Sequence, residues 1–119
     1  MQLARILAQI GYRPGDTSLA GRYLLLDEPT AALDLAHQHA CLRTARAVAE
    51  QGGAVLAIVH EPNLALLYAD RVLVLASGRV AGIGRPEAVI TTERLRDVFR
   101  IEAAIVRHPV RDRVYAVPL

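Results

Sequence analysis

Three observations predict an α/β fold built on a parallel sheet, with an antiparallel piece appended to it. Two short continuous apolar runs, residues 23–26 (Tyr-Leu-Leu-Leu) and 54–59, have the length and composition of buried strands. Between them Leu35, Leu42, Ala45, Val48 and Ala49 follow helical spacing, so strand, helix and strand alternate as in a parallel sheet. Further on, residues 71–76 and 79–83 flank Ser77-Gly78, the signal of a hairpin in which Gly78 takes a positive φ.

Taken in order, the elements justify themselves locally. Residues 1–10 carry Leu3, Ile6, Leu7 and Ile10 at helical spacing, and Gly11 supplies a stop. Residues 12–22 are rich in Gly, Pro, Asp, Thr and Ser and read as a loop before the first strand. The long helix is predicted over residues 35–51, ended by Gly52-Gly53, where a positive φ is expected. Pro62 opens a short helix through Tyr68, because a first-turn proline lacks an N–H that would be unpaired anyway. Thr91 or Thr92 caps a helix reaching Phe99, with Glu93 placed where the helix dipole favours an acid. Residues 103–117 read as two short strands around Pro109. No repeat, low-complexity tract or linker divides the chain, so one domain is expected over residues 1–119.

Composition excludes several functions. All fourteen basic residues are arginine, so the chain has no lysine for a Schiff base, a lysine general base or the phosphate-gripping lysine of a G-x-x-x-x-G-K-[ST] loop. A net charge of +2, with arginines spread among acids, gives no basic face for nucleic acid. The single Cys41 cannot form an internal disulfide, which fits a reducing cytosol. No apolar run approaches the roughly 18 to 20 residues needed to cross a bilayer, and the opening Met1-Gln2-Leu3-Ala4-Arg5 lacks the order of a secretion signal.

The chemistry concentrates at the carboxyl end of the first strand, where Leu24-Leu25-Leu26 runs into Asp27-Glu28-Pro29-Thr30. Ligands of parallel sheets bind beyond the carboxyl ends of the strands. Two adjacent acids there can divide labour by strand alternation, Asp27 toward a Mg²⁺ that bridges phosphates and Glu28 toward a water that it polarises. The second strand leads into His60 at the same sheet edge, where an imidazole can donate to a terminal phosphate and hold the attacking water. Each residue alone is what an ordinary loop or solvated strand end supplies, and it is their matched position that points to catalysis. His37 and Cys41, four apart on the long helix, could share a metal, but no third ligand is evident, and Cys41 reads as a small buried hydrophobe. Arg94, Arg96 and Arg100, alternating with Asp97 and Glu102, read as a solvated face, and His108 is assigned no role.

These residues carry a family resemblance. The run from Leu24 to Asp34 resembles the Walker B strand and D-loop of ATP-binding cassette (ABC) ATPases, and His60-Glu61-Pro62-Asn63-Leu64 resembles their switch-histidine segment, with Glu61 where the family often has aspartate. Residues 1–10 are similar to the helix after the family's signature loop, and Tyr68-Ala69-Asp70-Arg71, Leu73-Val74-Leu75, the Gly78 turn and Gly84-Arg85-Pro86 match the usual continuation. Residues 31–40, with Asp34-Leu35-Ala36-His37-Gln38-His39, look most like the ATPase subunits of bacterial haem and iron-siderophore importers.

The resemblance implies a partial P-loop NTPase-type α/β sheet with helices and a C-terminal hairpin and helix appendage. Residues 1–119 would form one partial domain, holding the post-signature helix, Walker B, D-loop, switch histidine and C-terminal tail, with the P-loop half absent. It implies ATP and Mg²⁺ as cofactors, with Asp27 on the metal through water, Glu28 as catalytic base, His60 as γ-phosphate sensor and Asp34 as a contact across a nucleotide-sandwich dimer. The implied partners are a second ATPase subunit and transmembrane permease subunits, at the cytoplasmic face of the inner membrane. A fragment of this kind would be inactive alone. The alternative is a non-enzymatic remnant or split half that binds a partner subunit, while a chromosome-maintenance ATPase of the same superfamily is disfavoured by the lack of heptads. In isolation, the strand at 24–26 would carry an unpaired apolar edge, and aggregation or molten behaviour is expected.

Overall fold

The computed structural model describes residues 5, 7, 9–13 and 18–119, and the chain divides into two compact units, Met1–His60 and Glu61–Leu119. The expected helix over 1–10 is seen as helical backbone at Arg5, Leu7 and Gln9, while Leu3 and Ile6 lie outside the described residues. It ends as its glycine predicts: Gly11 takes φ 79° and the Tyr12 N–H donates to the Leu7 carbonyl at 2.9 Å. That six-to-one bond around a left-handed glycine is a Schellman closure. Of the expected loop over 12–22, residues 14–17 lie outside the described residues.

The rest of the first unit is a β-α-β unit. Strand β1 (Tyr23–Asp27) pairs in parallel with β2 (Ala54–Ile58), from Tyr23 opposite Ala54 to Asp27 opposite Ile58. Helix α1 (Leu35–Glu50) connects them, as a parallel pair requires. Its C-terminus repeats the Schellman pattern, with Gly52 at φ 93°, Gly53 N–H on the Val48 carbonyl and Gly52 N–H on that of Ala49. Gly53 is needed for closeness, since a Cβ there would press Val48 Cγ1 and its carbonyl at 3.1 Å.

One face of this sheet is buried. Leu24 and Leu26 pack with Cys41, Ala45 and Val48 of α1 and with Leu7 and Leu19, and Val55 and Ala57 lie against the same cluster. Strand alternation then places Tyr23, Leu25, Leu56 and Ile58 on the opposite face, where they are 74, 71, 66 and 51% exposed. The expected second strand is one residue shorter than its apolar run, because Val59 has already left the ladder.

The second unit opens with α2 (Pro62–Tyr68), bounded as the proline predicts, with Glu61 as its cap accepting from the Asn63 N–H at 3.2 Å. Strands β3 (Val72–Ala76) and β4 (Arg79–Gly84) form the expected hairpin. Both turn residues are left-handed, Ser77 at φ 51° and Gly78 at φ 72°, as a type I′ turn demands. The register slips between Val74 and Leu75, so Ala81 is an extra residue in β4. A one-turn helix, α3 (Pro86–Val89), precedes α4 (Thr92–Phe99), which Thr91 caps by accepting from the Arg94 N–H. Strands β5 (Ala103–Arg107) and β6 (Val114–Pro118) close the chain as an antiparallel pair. Leu66, Ile90, Leu95, Ala103 and Ala116 form the core of this unit.

Two readings of side chains are corrected. Arg94 is not part of a solvated face: its guanidinium is half-buried and donates to the carbonyls of Val89 and Ala81, at 2.5 and 2.9 Å. It lies so close over β4 that a Cβ on Gly82 would stand 2.9 Å from its Cζ. His108, given no role, organises the β5–β6 turn, its Nδ1 accepting from the N–H groups of Val110 and Arg111 at 3.1 and 3.0 Å.

Candidate functional site

All four residues singled out for catalysis and binding lie in the first unit, at the carboxyl end of the parallel pair. Asp27 is the last residue of β1, with an exposed side chain that makes no hydrogen bond or ion pair among the described residues. Its neighbour departs from the sequence reading. Glu28 is not a strand residue pointing opposite to Asp27: its N–H makes one more ladder bond, to the Ile58 carbonyl at 3.0 Å, and its φ of 51° then turns the chain off the strand. The direction of the glutamate is therefore set by a left-handed backbone and not by the pleat.

That turn brings the carboxylate to the histidine. Glu28 Oε1 and His60 Nε2 are 2.5 Å apart, although the residues are 32 positions apart in sequence. Both stay open to solvent, with 46% of the glutamate side chain and 78% of the histidine side chain exposed. With Glu28 ionised, His60 donates through Nε2 to the carboxylate, so the imidazole expected to face a phosphate here holds the acid. A carboxylate held by a donor from the neighbouring strand end is fixed in orientation by that contact.

The chain from Glu28 to α1 is a tight turn. The Ala31 N–H donates to the Glu28 carbonyl, the Leu33 N–H to that of Thr30, and Ala32 is again left-handed at φ 61°. Asp34 ends the turn as the N-cap of α1, accepting from the His37 N–H at 2.9 Å and from His37 Nδ1 at 2.8 Å. The backbone hydrogen bond from His37 is the main cause that holds the Asp34 carboxyl below its usual range, with the imidazole adding to it. This capping role was missed in the sequence, where an aspartate directly before a helical run was its signal. Cys41 is buried in the core with its thiol toward the Pro29 carbonyl at 3.8 Å, and burial pushes its thiol pKa up. No cluster of three metal-ligating side chains occurs among the described residues.

Comparison with known proteins bears on this arrangement. No protein-family model matches the chain. It is 45% identical over 123 residues to the hemin import ATP-binding protein HmuV of Plesiomonas shigelloides, covering 97% of this chain and 47% of that protein. It is 50% identical over 111 residues to the HmuV protein of Pseudomonas fluorescens strain Pf-5, covering 93% and 42%. A solved structure of an inward-facing, metal-chelate type ABC transporter superposes with a TM-score of 0.70 at 29% identity, over 82% of this chain and 40% of that one.

The chain is homologous to the C-terminal portion of an ABC transporter ATPase. It spans less than half the length of the curated relatives it matches. The matched chain holds the strand end, the turn and the histidine segment whose geometry is given above. The Gly52-Gly53 pair is not a phosphate cradle: it closes the C-terminus of α1, where carbonyls face outward, and the sequence has no lysine to grip a phosphate. No helix among the described residues is long and apolar enough to cross a membrane.

Proposed function

We propose that this chain supplies the hydrolytic edge of an ATP site in the ATP-binding subunit of an ABC importer, with haem or an iron chelate as the cargo. The observation that carries this reading is the contact between Glu28 and His60 beside Asp27, at the carboxyl end of a parallel sheet. In this reading Glu28 takes the proton of the attacking water, and His60 orients the acid and then the terminal phosphate. Asp27 fits a hard cation, being an exposed carboxylate with no protein partner among the described residues, and Mg²⁺ is commonly held by one or two carboxylates together with phosphates. Bound there, Mg²⁺ would neutralise charge developing on the transferred phosphoryl group.

The absence of lysine supports a division of labour in which the grip on the phosphates comes from polypeptide outside this chain. Asp34, at the start of α1, would then meet a second ATPase subunit, and permease subunits would hold the assembly at the cytoplasmic face of the inner membrane. The names of the hemin-import relatives support haem as the cargo. The test is ATP turnover by the purified chain, alone and co-expressed with the part of the Plesiomonas shigelloides protein that it does not match. The chain alone should not turn over ATP, and the combination should, with Glu28→Gln lowering the rate about a hundred- to ten-thousandfold. Robust turnover by the chain alone, abolished by Glu28→Gln, would overturn the division of labour, and a combination insensitive to Glu28→Gln would overturn the assignment of the base.

A further inference from the structure

The first two turns of α1 grip the turn that leads into them. Asp34 caps the helix through backbone groups, its Oδ1 accepting from the His37 N–H and its carbonyl from the Gln38 N–H, both at 2.9 Å. Two further bonds are not needed for that cap. The His37 ring donates through Nδ1 to the same Oδ1 at 2.8 Å, and the Gln38 carboxamide donates through Nε2 to the Leu33 carbonyl at 3.1 Å. Leu33 precedes the cap, so its carbonyl is none of the groups that a helix end must satisfy. Cys41, one turn on from both, has its thiol toward the Pro29 carbonyl. Residues 37, 38 and 41 thus hold the turn at residues 34, 33 and 29, and that turn starts from the left-handed Glu28. The ring contact adds what a cap alone does not. The carboxylate torsion of an aspartate is broad, and a second donor from the same residue on the same oxygen narrows it. Yet 67% of the Asp34 side chain and 68% of that of His37 stay exposed, so the carboxylate is fixed without being covered. Stability is a weak reason for such a pair, because exposed ion pairs contribute little to folding.

We propose that His37 and Gln38 are positioning residues for ATP turnover, which hold the turn after Glu28 in one arrangement and present the Asp34 carboxylate to a second ATPase subunit. The inference rests on the proposed function for the role of Asp34, whereas the clasp itself is read from the bonds above. The ring nitrogen that is used makes the assignment specific. Asparagine carries its amide nitrogen as many bonds from the backbone as Nδ1 and can keep the contact with Asp34, while glutamine carries it one bond farther out and cannot.

Two measurements test the proposal. In the chain alone, hydrogen exchange at the Ala31 and Leu33 amides, which close the turn, should speed up about two- to tenfold in His37→Ala and in Gln38→Ala. In the assembly with the unmatched part of the Plesiomonas shigelloides protein, turnover is followed against protein concentration, and its midpoint reports the association of two subunits. His37→Ala and Gln38→Ala should each raise that midpoint about two- to fivefold, more than they lower the rate at saturation, with His37→Asn restoring it and His37→Gln failing to. Faster exchange with an unmoved midpoint would show that the clasp serves the fold alone and would overturn the proposal, as would unchanged exchange or equal rescue by glutamine. Asp34→Ser, which still caps the helix but has no carboxylate, separates the two readings. A midpoint moved by Asp34→Ser and not by His37→Ala overturns this inference alone. A midpoint moved by neither, or an assembly without turnover, overturns the proposed role of Asp34 as well.

Discussion

Asn63 offers the sharpest test of how the second unit is held together. Its carboxamide donates to the Ala116 carbonyl at 2.9 Å and accepts from the Ala116 N–H at 2.7 Å. Ala116 sits opposite Ile105, and the ladder bonds from His108 to Arg113 and from Leu119 to Glu102 place that pair between hydrogen-bonded ones, so its N–H and C=O point away from β5. The side chain of Asn63 therefore stands in for a missing strand on the outer edge of β6. In Asn63→Ala, a residue only 6% exposed is left with an orphan donor and an orphan acceptor. At about 1 to 3 kcal/mol for each unsatisfied group, with some relief from water, the loss should be about 2 to 4 kcal/mol. The assay is native-state hydrogen exchange at the Ala116 amide, which should speed up about thirtyfold to nearly a thousandfold. Asn63→Asp keeps an acceptor for the N–H but sets a carboxylate against the carbonyl. Its carboxyl pKa should rise on folding, so the variant regains stability at low pH and loses it as pH rises through that value. Exchange at Ala116 within about threefold of the parent in Asn63→Ala would refute the reasoning, because an edge already satisfied by water has no need of the carboxamide.

Other outcomes follow from the same geometry. Arg94→Met should destabilise the second unit by about 2 to 3 kcal/mol through two lost charge-assisted bonds, and Gly82→Ala, which displaces the same guanidinium, should add little to it in a double-mutant cycle read by denaturant unfolding. Cys41 should react with a thiol reagent far more slowly in the native chain than in denaturant, and equal rates would contradict its burial under the Pro29 turn. Because the Asp34 carboxyl is held below its usual range when folded, its contribution is present above the unfolded value and lost as pH falls through the folded one; Asp34→Asn, which still caps, should flatten stability against pH in that acid window. Glu28→Gly should leave the chain as stable or up to about 1 kcal/mol more stable, since a left-handed glutamate is strained and glycine is not, while turnover in the co-expressed assembly disappears. Loss of stability in that variant would show that Glu28 is held for packing.

What the sequence revealed depended on whether a local rule was enough. The β-α-β unit was legible because two apolar runs bracket a helical period that Gly52-Gly53 must end, and α2 was legible because Pro62 can only begin a helix. Gathering Asp27, Glu28 and His60 at one edge needed only the parallel pairing of the two runs. The aim of Glu28 was not legible, because alternation assumes a strand and the φ of 51° appears only with the turn around it. Helix α3 escaped notice because four residues carry no period. Arg94 and Asn63 were misread or passed over because each bonds to a backbone group brought near by tertiary structure, which charge patterning along a helix cannot show, whereas His108 acts locally, on N–H groups two and three residues on, once the turn between β5 and β6 has formed.

The backbone at Glu28 ties strain to chemistry. A left-handed φ is unfavourable for a glutamate by about 1 to 2 kcal/mol, and the residue before a proline is restricted further, so Glu28-Pro29 is a poor local choice for this conformation. It persists because the surroundings fix it from both sides, through the bond from the Glu28 N–H to Ile58 and the bond from the Ala31 N–H back to Glu28. Asparagine or glycine would fit the turn at lower energy but would bring no long carboxylate to His60. A conformation that the sequence disfavours, at a residue whose side chain is half exposed and lies 2.5 Å from an imidazole, is poorly explained by stability alone. The strain makes sense if the position is set by what the carboxylate must reach. That is why the hydrolytic reading rests on the turn after β1 more than on the pair of acids itself.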